Sequence, residues 1–177
     1  MRTSTIFFLS SLPAMVSGFV SPSTFNYVGN IAPLGYFDPL GVATTRNEST
    51  VKYLREAELQ HGRVAMMSFL TLAGLDLVSP ELAIHQLSSL SAVEQTPYWF
   101  GVGAFEVARM LNGWTSPTES LFTLDEAYQP GNVFRRPKAG YTDVDLNQEL
   151  SNGRLAMLGC LGYIAQELVT QSKVLSS

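Results

Sequence analysis

In ELQHGRVAM, residues 58–66, an acid, a histidine and an arginine stand directly before an apolar run. A second copy, ELSNGRLAM, occupies residues 149–157. Six of the nine positions are identical, and Val64 is matched by the similar Leu155. Two polar motifs of the same kind, each at the start of an apolar segment, predict two equivalent helices.

The composition indicates an apolar environment. The chain has 177 residues, a length that predicts one domain, and 46% of them are hydrophobic. Charged residues make up 15%, whereas globular chains carry about 25%. The deficit indicates a membrane or a very apolar interface. The net charge of −4, with no basic stripe, excludes a nucleic-acid partner. The single cysteine, Cys160, excludes an internal disulfide and is expected to be a small buried side chain.

The N-terminal residues predict a targeting segment. Arg2 precedes the apolar run at residues 6–9, and small residues follow at 16–18. We therefore expect a signal peptide at 1–18, a transit peptide or extended N-terminal arm at 19–34, and a three-helix domain at 35–172. An ordinary secretory signal is the alternative interpretation.

Three helices are predicted, at about 51–78, 97–113 and 142–169. Pro97 is a favourable first helical residue, with Thr96 as its cap. Thr142 and Asp145 form a capping-box pattern. The residues from 79 to 96 place apolar side chains at roughly helical spacing and predict a short amphipathic helix, on which His85 is expected to be a surface residue.

The apolar parts of these helices are Val64–Val78, Pro97–Asn112 and Leu155–Val169. Each is shorter than the roughly 20 residues that cross a bilayer, so a span must include polar residues. Charges inside a membrane need partners. The fold class that follows is an all-α membrane protein with three transmembrane helices, and a soluble helical bundle is the alternative.

The spacing of the charges predicts which partners they have. Glu58 and Arg63 are five residues apart, so they point about 140° apart around a helix and cannot pair with each other. A pseudo-two-fold relation between the first and third helices supplies each acid with the arginine of the other copy. The expected pairs are Glu58–Arg154 and Glu149–Arg63, with Gly62 and Gly153 leaving room for the helices to cross.

His61 and Asn152 occupy matching places in the two copies. Each can give a lone pair to a divalent cation while staying neutral, which suits a magnesium ion already held by four ring nitrogens. The neutralised glutamates are expected to keep a spare carboxylate oxygen for the same purpose. Two alternatives remain: a di-iron protein, weakened because the second copy has asparagine, and a transporter with ion pairs inside the membrane. The sequence contains no pattern typical of a catalytic nucleophile, a phosphate-binding loop or a zinc site, so it does not predict an enzyme.

The paired motifs resemble the light-harvesting chlorophyll-binding protein family. GYFDPLG, residues 35–41, resembles the stretch before that family's first helix, and the resemblance covers residues 35–170. SGFVSPSTF, residues 17–25, resembles the bipartite presequence of red-lineage plastids. The chain is therefore most similar to the fucoxanthin chlorophyll a/c-binding group of that family.

This resemblance implies an antenna in the plastid thylakoid membrane that crosses the membrane three times, binds chlorophyll a, chlorophyll c and a fucoxanthin-like carotenoid, and passes excitation to a photosystem. Thylakoid lipids and other antenna subunits are the implied partners, and a photoprotective member of the family is the alternative. The implied magnesium ligands are Glu58, His61, Glu106, Glu149, Asn152 and Gln166, and the arginines paired with the glutamates are Arg63, Arg109 and Arg154. The chain departs from the family pattern in two places: residues 128–143 lack a second FDPLG, and no histidine follows Gln166.

Overall fold

The computed structural model of the chain describes residues 28–31, 35–116, 118–119, 123–133 and 142–175. The predicted signal peptide lies outside these ranges, as does the predicted arm except for residues 28–31. The elements are α1 (Val42–Thr45), α2 (Glu48–Val78), a 3-10 helix (Ala83–His85), α3 (Gln86–Ser89), α4 (Ala92–Gly113) and α5 (Asp143–Thr170). In the described ranges, β-pairing is limited to the isolated bridges Ile31–Gly35 and Trp114–Leu124. The prediction of an all-α fold is therefore confirmed.

The first helical turn, α1, lies before the three predicted helices and was not predicted. The Asp38 carboxylate accepts hydrogen bonds from the backbone N–H groups of Val42, at 2.9 Å, and Ala43, at 2.8 Å. Burial acts to raise the pKa of Asp38, but these hydrogen bonds outweigh it and the pKa is lowered. Burial and the hydrogen bond to Asp38 raise the pKa of Tyr36 to about 12. Asp38 thus starts α1 by satisfying its free N–H groups.

The long helices begin at capping residues. At the start of α5, Thr142 and Asp145 form the predicted capping box. The predicted start of α4 is wrong: Ser91 and Glu94 form a capping box, and Pro97 lies inside the helix. That box satisfies backbone N–H groups more than one turn earlier than Thr96 would. Pro97 then removes only one helical hydrogen bond, so the helix tolerates it.

The connection between α2 and α4 contains the 3-10 helix and the single turn α3, instead of one amphipathic helix. The Glu167 carboxylate, which is fully buried, accepts hydrogen bonds from Ala83 N at 3.3 Å and Ile84 N at 3.0 Å. At the same end of the molecule, the buried Asp76 Oδ2 accepts a hydrogen bond from Leu175 N at 2.6 Å. Two buried acids thus fasten both the connection and the C-terminal residues to the ends of α2 and α5.

The core of the fold is the crossing of α2 and α5. A Cβ atom added to Gly62 would lie 3.0 Å from the Gly153 Cα atom, so the two backbones are in contact. Farther along, the Phe69 ring lies over Gly159 and packs edge-on against Tyr163. Cys160, half-buried, donates its thiol to the Ala65 carbonyl oxygen at 3.2 Å. Small residues set the distance between these two helices.

Much of the apolar surface of the long helices is exposed. The exposed fraction is 68% at Met67 and Leu70 on α2, 77% at Phe100 on α4, and 69% at Leu158 on α5. Within the described residues, no single helix has the length and apolar composition of a membrane span, although α2 followed by Ala83–Ser89 passes that test as a pair bent by 110°. Exposed apolar surface on this scale indicates that other apolar molecules cover it.

Candidate functional site

Both predicted ion pairs between the repeated motifs are present. Arg63 Nε lies 2.5 Å from Glu149 Oε1, and Arg154 Nε lies 2.8 Å from Glu58 Oε1. The glycine contact lies between the two pairs. The distances from a Cβ atom added at position 62 to the other backbone equal those from a Cβ atom added at position 153, as a local two-fold relation requires. Helices α2 and α5 therefore exchange their counter-charges where they cross.

Arg55 is a member of this site that the sequence reasoning missed. Its side chain is 4% exposed, and it donates from Nη1 to Glu58 Oε2 at 2.9 Å and from Nη2 to the Val28 carbonyl oxygen at 2.6 Å. The spacing of three residues between Arg55 and Glu58 is a recognised signal for such a pair. The equivalent position of α5 is Leu146, so the two halves of the site differ.

The difference changes what each motif glutamate can bind. Both oxygens of Glu58 accept an arginine N–H group. Glu149 accepts only at Oε1, and its Oε2 atom has no donor among the described residues. The expected spare oxygen is thus present in Glu149, whereas each oxygen of Glu58 already accepts one hydrogen bond.

Glu56 is a second member that the sequence reasoning missed. Only 2% of the residue is exposed, and its carboxylate accepts hydrogen bonds from Gly131 N at 2.6 Å, Tyr128 Oη at 3.2 Å and Arg109 Nη1 at 3.3 Å. Burial, followed by the Glu56 charge, raises the pKa of Tyr128. All three donors are more than 50 residues away along the chain, so local spacing carries no signal for these contacts.

Glu106 is held from two sides. Gln60 Nε2 donates to its Oε1 atom at 2.8 Å, and Arg109 donates to Oε2 at 2.7 Å from Nη2 and at 3.0 Å from Nε. The predicted Glu106–Arg109 pair is therefore present, and the Arg109 guanidinium also lies over the Trp114 ring. The carboxylate cannot rotate without breaking one of these contacts.

The charges of the site balance. Its members are four arginines and four glutamates, namely Arg55, Arg63, Arg109, Arg154, Glu56, Glu58, Glu106 and Glu149. A network of zero formal charge is far less costly in an apolar medium than an isolated charge.

The two-fold relation extends to the loops before the helices. Gly131 accepts a hydrogen bond from Arg63 Nη2 at 2.8 Å, and Gly29 accepts one from Arg154 Nη1 at 3.2 Å. Both glycines have positive φ, +86° and +122°, and each is followed by asparagine. The sequence reasoning missed this repeat, although the two Gly-Asn pairs and the later stretches GYFD and GYTD could have revealed it. Residues 134–141, where a second FDPLG was found missing, lie outside the described ranges.

The neutral candidate ligands point away from the protein. His61 Nδ1 lies 2.7 Å from the Ala57 carbonyl oxygen, which can only accept, so Nδ1 carries the proton and Nε2 of the neutral ring keeps its lone pair. The ring is exposed. The side chains of Asn152 and Gln166 are also exposed, and neither makes a hydrogen bond to the described part of the chain. Such donors fit the axial position of a magnesium tetrapyrrole.

Comparison with known proteins decides the family. Residues 25–168 match the sequence profile of the family described as Chlorophyll A-B binding protein. This chain belongs to the chlorophyll a-b binding protein family. The resemblance of its paired motifs to light-harvesting proteins is confirmed.

The relatives of this chain include fucoxanthin-chlorophyll a-c binding proteins and light-harvesting complex stress-related proteins. The chain is 33% identical over 154 residues to a fucoxanthin-chlorophyll a-c binding protein of Isochrysis galbana, covering 77% of this chain and 74% of the relative. It is 31% identical over 176 residues to fucoxanthin-chlorophyll a-c binding protein F of Macrocystis pyrifera, covering 89% and 81%. It is also 33% identical over 172 residues to light-harvesting complex stress-related protein 3.2 of Chlamydomonas reinhardtii, covering 85% of this chain and 66% of that longer protein. All three relatives are chloroplastic proteins.

Proposed function

We propose that this chain is an antenna protein of the plastid thylakoid membrane that holds chlorophyll a, chlorophyll c and a fucoxanthin-like carotenoid and passes excitation to a photosystem. The bound pigments would supply the absorption and transfer of light energy. The protein's part is to bind the pigments and fix their spacing and orientation. The fucoxanthin-binding relatives support this choice of pigments.

The observation that carries the proposal is the hydrogen bonding of His61, which occupies one ring nitrogen and leaves the other available to a metal. Its Nδ1–H group is held by the Ala57 carbonyl on its own helix, and its Nε2 lone pair faces outward. A hydrogen bond at one ring nitrogen that orients the other toward a metal is the usual arrangement of a ligating histidine. Glu149 Oε2, Asn152 and Gln166 extend the set of proposed magnesium ligands. Glu58 and Glu106 complete the set, and because each of their oxygens already accepts a hydrogen bond, they would bind through a remaining lone pair.

The exposed apolar helices support a membrane location. We propose that the segments Val64–Val78, Pro97–Asn112 and Leu155–Val169, with the polar residues next to them, cross the bilayer. Pairing of the arginines and glutamates removes the cost that single charges would have there.

A cavity near the N-terminal arm fits the end ring of a carotenoid. It has a volume of about 540 Å³ and lies between residues 29–31 and 35–43 on one side and helices α2 and α5 on the other. Its lining is largely apolar and includes Tyr36, Phe37, Val51 and Leu54. An amphipathic ring with a polar substituent would place its apolar part against these residues.

The test is purification in mild detergent, or refolding with pigments, followed by pigment extraction. We expect His61→Leu to lose about one chlorophyll per protein. His85→Leu is the matched control, because His85 is the other histidine of the chain and lies on the 3-10 helix, and it should keep every pigment. If the purified wild-type protein is colourless and conducts ions in liposomes, the antenna proposal is wrong and the transporter alternative is supported.

A photoprotective role is the second candidate, favoured by the similarity to the stress-related relatives. The chlorophyll fluorescence lifetime of the purified complex distinguishes the two. An antenna should keep a long lifetime at both pH 7.5 and pH 5, whereas an energy-dissipating member should show a clearly shorter lifetime at the acidic pH.

A further inference from the structure

The glycines inside the long helices fall into two sets. Gly62, Gly113, Gly153 and Gly159 each touch another part of the protein, which explains why a side chain is absent. At Gly74, Gly101, Gly103 and Gly162, a Cβ atom would meet nothing within 4 Å among the described residues beyond its own stretch of helix backbone. Glycine inside a helix is destabilising relative to alanine. The described part of the fold gives no packing reason for the second set.

Two glycines of the second set stand one helical turn before a candidate magnesium ligand. Gly103 precedes Glu106 by three residues, and Gly162 precedes Gln166 by four. Side chains on a helix lean toward its N-terminus and cover the surface of the preceding turn. A group bound by Glu106 or Gln166 would therefore lie over the bare backbone at the glycine.

At Glu106 the direction of the ligand is set by its neighbours. Gln60 and Arg109 hold one carboxylate oxygen each, while about a third of the Glu106 side chain stays exposed. A planar molecule bound at the exposed part needs a flat surface beside it. Gly103, which is exposed and projects no side chain, provides that surface.

We propose that Gly103 and Gly162 are positioning residues for two tetrapyrroles, whose planes lie against the helix backbone while Glu106 and Gln166 bind the central magnesium. This inference rests on the proposed function, and it assigns a role to two residues that have no side chain to bind the metal and at which a Cβ atom would meet none of the described residues beyond the neighbouring helix backbone. A side chain at either position would lift the macrocycle off the helix and lengthen the bond from the ligand to the metal.

The experiment compares leucine substitutions at the four open glycines in protein refolded with chlorophylls and carotenoids. Gly103→Leu and Gly162→Leu should each lose about one chlorophyll per protein, with a matching loss of one band in the absorption and circular dichroism spectra. Gly101→Leu and Gly74→Leu are the controls, because neither glycine has a candidate ligand three or four residues after it. Far-ultraviolet circular dichroism checks that all four variants keep their helices.

The outcomes separate the two proposals. If Gly103→Leu and Gly162→Leu keep all their pigments while Gln166→Leu loses one, the positioning role is wrong and the antenna function stands. If all four leucine variants lose pigment equally, the spacing of three or four residues between a glycine and a magnesium ligand does not determine pigment binding. The inference is then also wrong. If the wild-type protein binds no pigment, the proposed function itself fails.

Discussion

Gly62 and Gly153 touch backbone to backbone: a Cβ atom added to either would lie 3.0 Å from the Cα atom of the other. On either side of this contact, each helix donates an arginine to a glutamate of its partner. The glycine contact brings the helices close enough for both ion pairs to form at once, so helix packing and charge pairing depend on each other.

Replacing Gly62 with alanine should destabilise the protein by about 1–3 kcal/mol, because the new methyl group meets backbone atoms that cannot move aside. The higher helix propensity of alanine offsets only part of this cost. Thermal unfolding followed by circular dichroism measures the change. Gly74→Ala, at an open position of the same helix, should be neutral or stabilising. Equal melting temperatures for the two variants would contradict the contact.

The two motif arginines should differ in importance. Arg63→Leu leaves Glu149 without an arginine among the described residues, whereas Arg154→Leu leaves Glu58 paired with Arg55. An unpaired carboxylate in the membrane costs about 2.5–3.5 kcal/mol, so Arg63→Leu should give the lower yield of pigmented protein after refolding. The reverse order would show that Arg55 does not compensate for Arg154.

Glu56→Leu should destabilise the protein by about 3–5 kcal/mol. The change leaves the half-buried Arg109 with one acid instead of two and leaves the hydrogen-bond donors of Tyr128 and Gly131 without their Glu56 acceptor. Chemical denaturation measures the free energy of unfolding. Glu126→Leu, the same substitution at an exposed loop position, is the control and should change stability little. The prediction fails if both variants unfold at the same denaturant concentration.

Low pH should lower the stability of the N-terminal turns of α4 and α5. Hydrogen bonds from Ser91 lower the pKa of Glu94 below its ordinary 4.5, and those from Thr142 lower the pKa of Asp145 below its ordinary 3.8. A lowered carboxyl pKa adds stability that is complete above the ordinary pKa and is lost as the pH falls through the folded-state pKa. Melting temperatures measured from pH 7 to pH 2 should fall less steeply for the double variant Ser91→Ala and Thr142→Ala. Parallel curves would exclude this contribution.

Gln171→Gly should stabilise the end of α5 by about 1 kcal/mol. Gln171 has φ +51° and ψ +29°, a left-handed conformation that costs a residue with a Cβ atom about 1–2 kcal/mol. Gln171→Ala is the control, since it removes the same amide but keeps the Cβ atom, and it should give no gain. A lower melting temperature for the glycine variant would mean that the hydrogen bond from Gln171 Nε2 to the Leu168 carbonyl matters more.

Local patterns predicted the features that depend on neighbouring residues. The capping box at Thr142 and Asp145 was predicted because both partners lie within one turn. The start of α4 was predicted wrongly, since proline at a first helical position is a weaker signal than the Ser91–Glu94 box that actually begins the helix. The Arg55–Glu58 pair has the same three-residue spacing, but Arg55 lies outside the repeated motif, so the motif did not predict it.

The sequence alone predicted that two copies of one motif start two helices, and that the acid and the arginine within one copy do not pair. Helical geometry gives the second result, because residues five apart point about 140° apart around the helix. The arginine of the other copy was the predicted partner, and both of these pairs are present. The packing of the helices was needed to show that Glu56 links α4 to the loop at Tyr128 and Gly131. It also showed that, within the described ranges, Glu58 pairs with two arginines and Glu149 with one. Those contacts join distant parts of the chain, and their partners are chosen by how the helices pack.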